Sequence, residues 1–328
     1  MMRAGRLGLA SAIAVRVGKL IDRANKNHLN RLSSKTDTGE LWRCVGEVTG
    51  KQKRSVVTHA MTAEDLNTHY ATVSTDPGYT PPVMRLTAVE NHPFITEARV
   101  FHILDHLAYT APGADLLPAW FLRLAAPIYT GVITYMINFS IANFYVPEQW
   151  KTAIIHPVAK VPKPETPSDY RPISITPILS RIVERELVQR YLYPAFNQPP
   201  MSDLLLDQYA FRPTGSTTAA LISLQHQVKT LLQSNEYVTL VSLDFSKAFD
   251  TVRHSVLAAK LSSLILPDNI YNWLVELLKD RRHVTRFQDV LSAAAAIDAS
   301  VVQGSGIGPS AFVVNGSTSG KHPCQIRR

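Results

Sequence analysis

Apolar residues recur at two different periods along this chain, and each change of period marks an element. From Leu179 to Tyr193, LSRIVERELVQRYLY sets Ile182, Val183, Leu187, Tyr191 and Leu192 on one face of a helix and charges on the other. Thr62-Ala63-Glu64-Asp65 has the form of a capped start for a short helix reaching about His69. Helices are also expected over about Thr96 to Leu107, Thr217 to Gln233, Ser255 to Ser263 and Asp268 to Lys279. Leu124 to Val146 carries no charge over a length sufficient to span a bilayer. Its Pro127, Gly131, Asn138, Ser140 and Asn143 suit a buried helix pair better, with Leu124, Ile128, Val132, Tyr135, Met136, Phe139 and Ile141 facing inward, so no membrane partner is expected.

Elsewhere the runs are short and β-branched. AIIHPVAK and RPISIT flank a Pro-rich turn and predict the two strands of a hairpin. Tyr237 to Asp244 alternates as a strand that delivers Asp244 at its end, and VTRFQDVL and AIDASVVQ are later strand candidates. The loop STDPGYTPP, Ser74 to Pro82, suggests a first domain boundary. The fold class implied is α+β, with helices packed on one face of a small antiparallel sheet and a basic helical segment ahead of it.

Composition narrows the partners. The 328 residues are 45% hydrophobic, enough for a sizeable core, and Lys+Arg of 34 against Asp+Glu of 26 gives a net charge of +8, which favours polyanionic partners. Two cysteines, Cys44 and Cys324, show neither disulfide-framework nor zinc-ligand spacing, so a reducing compartment is expected. The first twenty residues are basic, amphipathic and free of acids, which fits either a targeting presequence or a nucleic-acid-binding helix. His102 and His106 stand four apart without a third ligand nearby in sequence, so ordinary helix positions are expected of them.

The stretch VSLDFSKAFDTVRH closely resembles the first catalytic motif of reverse transcriptases of non-LTR (LINE-type) retrotransposons. APGADLLPAWFLR, VPEQWKTAIIHPVAKVPKP, DYRPISITPILSRIVERELVQRYL, DQYAFRPTGSTTAAL and VVQGSGIGPSAF resemble the same family's blocks, in the same order. The resemblance implies the fingers and part of the palm of a right-hand polymerase. Residues 1–95 would form a basic helical linker or pre-polymerase region, 96–236 the fingers-like part, 237–314 a partial palm and 315–328 a disordered tail. RNA template, DNA primer and deoxynucleoside triphosphates are the implied partners, Mg²⁺ the implied cofactor, and the nucleus or cytoplasm the implied location.

Residue by residue, the resemblance makes Asp244 the metal-binding catalytic aspartate and Phe249 the aromatic that senses the ribose 2′-hydroxyl. Asp250 would cap the next helix or, alternatively, share the metal. Arg171 would contact the triphosphate, which suits a planar guanidinium fork. Lys160 or Lys163 would add positive charge there. Gln303 and Gly304 would lie under the nascent base pair, and Phe211 and Arg212 would guide template. The family's second acidic motif, Tyr-x-Asp-Asp, is not found. No Asp or Glu follows Asp298, and no Asp-Asp pair occurs in the sequence. Two-metal phosphoryl transfer needs at least two convergent carboxylates. The expectation is therefore of a chain truncated before that hairpin, holding Mg²⁺ weakly, without useful polymerase activity of its own and with an unpaired sheet edge beside Asp244. A non-catalytic nucleic-acid-binding remnant is the alternative.

Overall fold

The computed structural model describes residues 61–85, 94–213, 215–242, 244 and 247–317, together with the helical residues Val15, Arg16, Lys19, Asp22, Arg23 and Lys26. The remainder of the basic amino-terminal region, the targeting expectation for it, and the tail from residue 318 lie outside the described residues. The chain separates into two compact units, Met1–His59 and Ala60–Arg328. The loop at 74–82 falls within the second unit.

Its first element is α1 (Ala63–Val73), opened by the capping box legible in TAED: Asp65 N–H donates to Thr62 Oγ1 at 3.1 Å, and Thr62 N–H donates to Asp65 Oδ2 at 2.9 Å. Thr96 caps α2 (Glu97–Asp105) through its side chain alone, accepting from Arg99 N–H. The uncharged stretch forms one helix, α3 (Ala119–Ala142), and not the expected pair, because Pro127 is absorbed within it. Except at Ile141, the inward face also differs from expectation. Leu122, Ala126, Ile133, Ile137 and Ile141 are buried, whereas Leu124, Ile128, Val132, Tyr135, Met136 and Phe139 are exposed. Both faces are apolar, so periodicity alone could not choose; the small Ala126, Thr130, Thr134 and Ser140 let neighbours approach closely, and that face packs inward. Asn138 exchanges two hydrogen bonds with the Ile95 backbone, and Trp273 Nε1 donates to Ser140 Oγ at 2.9 Å. By length and composition α3 would suffice to cross a membrane.

After the short α4 (Glu148–Lys151), strands β1 (Thr152–Ala159) and β2 (Tyr170–Ile175) form the anticipated antiparallel hairpin, with Val158 opposite Arg171. The next helix, α5 (Ile178–Leu187), continues through a π-helical turn (Val188–Leu192) into α6 (Tyr193–Phe196), followed by α7 (Met201–Leu204), α8 (Thr217–Leu231), α9 (His254–Ser262) and α10 (Asp268–Leu278). Ile182, Val183, Leu187 and Leu192 are buried, as their spacing requires. Strands β3 (Arg281–Phe287), β4 (Val290–Leu291) and β5 (Ala295–Ile297) and helix α11 (Gly308–Gly316) complete the unit, so the helix extends into the region expected to be tail. The sheet order is β2-β1-β3-β4 with β5 also on β3. It is mixed, not purely antiparallel: β1 and β3 run parallel, Thr152 opposite Arg282 and Ile155 opposite Thr285.

The expected strand at Tyr237 to Asp244 is not formed. Residues 237–242 and 244 are irregular, with Tyr237, Leu240 and Val241 exposed. An alternating run becomes a strand only when a neighbour accepts its hydrogen bonds, and none of the five strands pairs with it.

Candidate functional site

A cleft of about 90 Å³ opens where α1 crosses the sheet. Its floor comes from alternate residues of the hairpin, Ala153 and Ile155 on β1 and Tyr170, Pro172 and Ser174 on β2. His69 and Tyr70 of α1, Lys160 and Ser168 of the hairpin turn, Lys247 and Asp250 of the turn after Asp244, and Gln303 close it. Helix α1 is fastened over the sheet by Asn67, whose Nδ2 donates to Ala293 O at 3.0 Å and whose Oδ1 accepts from Thr285 Oγ1 at 2.9 Å. Its carboxyl end is held by Asp298 and Ala299, whose N–H groups both donate to Ser74 O.

Two of the sequence-derived motifs meet here. Val301 N–H donates to Phe249 O and Ser300 N–H to Val252 O, each at 2.8 Å, joining the turn that follows Asp244 to the run that leads into Gln303. Ser174 N–H then donates to Gln303 O at 3.0 Å. Gly304 adopts φ +118°, and a Cβ there would stand 2.3 Å from Ser174 O. Only glycine lets this loop lie so close against β2. Glu184, buried on α5, holds the same loop from below: its Oε2 accepts from Ile307 N–H at 3.1 Å and its Oε1 from Ser180 Oγ at 2.7 Å.

Lys160, Gln303 and Gly304 are thus brought together. Lys160 Nζ donates to Ser168 O at 2.7 Å, and its N–H to Asp169 O. Lys163 is exposed and outside the cleft lining. Arg171 is exposed on β2 between two lining residues, Tyr170 and Pro172, so strand alternation directs it away from the cleft. Phe211 and Phe249 meet each other, with ring centroids 6.1 Å apart and Phe312 completing a cluster in which Phe249 and Phe312 stack at 4.9 Å. Arg212 is engaged internally, Nη1 donating to Leu205 O at 2.5 Å.

The carboxylates divide differently from expectation. Asp244 is exposed and does not line the cleft, whereas Asp250 does. Nor does Asp250 cap α9, whose N-cap is Arg253. Burial raises the Asp250 carboxyl above its usual value, partly opposed by Lys247 and Lys160. His69 is shifted downward, first by burial and then by the same two lysines. Among the described residues no group of three His, Cys, Asp or Glu side chains is placed to hold a metal. The donors present do not fit a pair of Mg²⁺ ions, which need convergent carboxylate oxygens. The His102 and His106 rings lie 4.3 Å apart, tilted by 38°, with His106 Nδ1 bonding to His102 O and no third ligand among the described residues.

Sequence reasoning missed His69, Tyr70 and Lys247. Lys247 lies inside the quoted motif without a spacing that singles it out; Tyr70 follows Ala63 and Leu66 on the apolar face of α1 and reads as core.

Residues 161–315 match the family model described as reverse transcriptase (RNA-dependent DNA polymerase). The chain is 33% identical over 200 residues, 61% of its length and 22% of the relative's, to the probable RNA-directed DNA polymerase from transposon X-element of Drosophila melanogaster. It is 32% identical over 220 residues, 62% and 22%, to the corresponding protein from transposon BS of the same organism. To the RNA-directed DNA polymerase from mobile element jockey, also of Drosophila melanogaster, it is 30% identical over 213 residues, 65% and 23%. The chain therefore spans less than a quarter of the length of these relatives.

Proposed function

We propose that this chain supplies the fingers-type nucleotide cleft and the first palm segment of a polymerase like its relatives, residues 161–315 matching the reverse transcriptase family model and much of the chain resembling RNA-directed DNA polymerases of transposons. The cleft would take a deoxynucleoside triphosphate opposite an RNA template. The observation that carries this reading is the convergence of Lys160, Lys247 and Gln303 on one opening, with the Gly304 loop pressed against β2. Ammonium groups in a partly enclosed cleft attract phosphate oxygens more strongly than in open water. A backbone without a side chain lets a flat base approach.

Chemistry at the primer end is a separate matter. Asp244 lies outside the cleft lining, and the carboxylate inside it, Asp250, is biased toward its protonated form by burial. Residues 1–328 would accordingly bind nucleotide and nucleic acid without joining them, unless acidic residues from elsewhere complete the site. Primer extension on an RNA template with Mg²⁺ or Mn²⁺ tests this: no incorporation is expected, and robust incorporation abolished by Asp244→Ala would refute it. Template–primer binding, followed at two salt concentrations, is expected to persist and to weaken steeply with salt, as phosphate contacts do.

A further inference from the structure

The Tyr70 hydroxyl is buried in the cleft and has no hydrogen-bond partner among the described residues. A phenol withdrawn from water without a partner is costly, so its persistence at an opening marks a place where a ligand supplies the acceptor. The ring is fixed. It packs with Leu66, Ile155 and Tyr170 in a small cluster beneath α1, and α1 itself is tied to β3 and to the chain after β5 by Asn67 and Ser74. The titratable side chains sharing the opening include two lysines, Lys160 and Lys247, the His69 and His283 imidazoles and one carboxylate, Asp250, beside neutral polar residues such as Ser168, Ser174 and Gln303. Two ammonium groups against one carboxylate disfavour a metal cation and favour an oxyanion.

We propose that Tyr70 is a binding residue for the nucleoside triphosphate, its hydroxyl donating to a phosphate oxygen held between Lys160 and Lys247. This rests on the nucleotide-cleft reading above and adds to it: a helix lying ahead of the matched residues 161–315 forms one wall of the pocket. A hydrogen bond to a charged oxygen in a sheltered site is among the stronger ones, and removing its donor alone is informative because phenylalanine fills the same volume.

The experiment uses the full chain, with dATP and inorganic triphosphate as probes in Mg²⁺, titrated calorimetrically into the parent, Tyr70→Phe and Lys160→Met proteins. Tyr70→Phe is expected to raise Kd for both probes by about 10- to 100-fold, with an unchanged or higher unfolding temperature. If Tyr70→Phe binds within about twofold of the parent while Lys160→Met loses binding, the cleft reading stands and the role of Tyr70 is refuted. Weaker dATP binding with unchanged triphosphate binding also refutes it, since the contact would then be to sugar or base. Failure of the parent to bind either probe overturns the cleft reading itself.

Discussion

Replacing Gly304 with alanine tests how the Gln303 loop is seated. At φ +118° a residue with a side chain is strained, and here the new Cβ would stand 2.3 Å from Ser174 O, a backbone atom that cannot swing aside. Relief requires the loop to lift from β2, which breaks the bond from Ser174 N–H to Gln303 O. Strain of this kind costs about 1–3 kcal/mol and the lost hydrogen bond about 1, so a loss of about 3 kcal/mol of unfolding free energy is expected. Gly316→Ala is the control: nothing lies within 4 Å of its Cβ position at the end of α11, and its effect is expected within about 0.5 kcal/mol of zero. Urea unfolding followed by tryptophan fluorescence reads both, because Trp150 and Trp273 are buried in the core. Nucleotide titration reads the loop itself and is expected to fail in Gly304→Ala. Equal stability of the two variants, with dATP binding intact, would refute the account of why this loop needs glycine.

Acid should destabilise the protein through His254, fully buried with Nε2 on Ser300 O at 2.8 Å and shifted by burial from 6.5 to about 4. The unfolded chain binds the proton first, so stability is full above pH 6.5, falls from there toward pH 4 and levels off below; by pH 5 the loss is about 2 kcal/mol. His254→Gln should flatten that slope in urea unfolding at pH 7.5 and 5, and an unchanged slope would exclude the assignment. Lys151→Met removes the partner, at 2.6 Å, of Glu276 and leaves it, among the described residues, with Lys279 at 3.8 Å. A loss of about 2 kcal/mol is expected by the same method, and a neutral result would mean that Glu276 reaches solvent. Primer extension and the Tyr70→Phe titration complete the set.

The elements best legible in the sequence were those whose causes are local. The cap at Thr62 bonds within three residues. The β1–β2 hairpin joins two β-branched runs across a Pro-rich turn, and α5 buries a face set by spacing alone. The ordered motifs likewise pointed to the reverse transcriptase family, whose model matches residues 161–315, because residue types at close range carry the resemblance. What the sequence left open depended on partners far along the chain. It could not tell which face of α3 turns inward when both are apolar. Nor could it foresee that β1 would pair in parallel with β3, well over a hundred residues later. The run ending at Asp244 had the composition of a strand and lacked a neighbour to pair with. Tyr70 looked like core until the sheet, the hairpin turn and the Gln303 loop enclosed an opening beside its hydroxyl. Local patterns record what a segment prefers. Packing decides which preference is realised, since a ladder, a buried face or a cleft exists only once distant segments have come together.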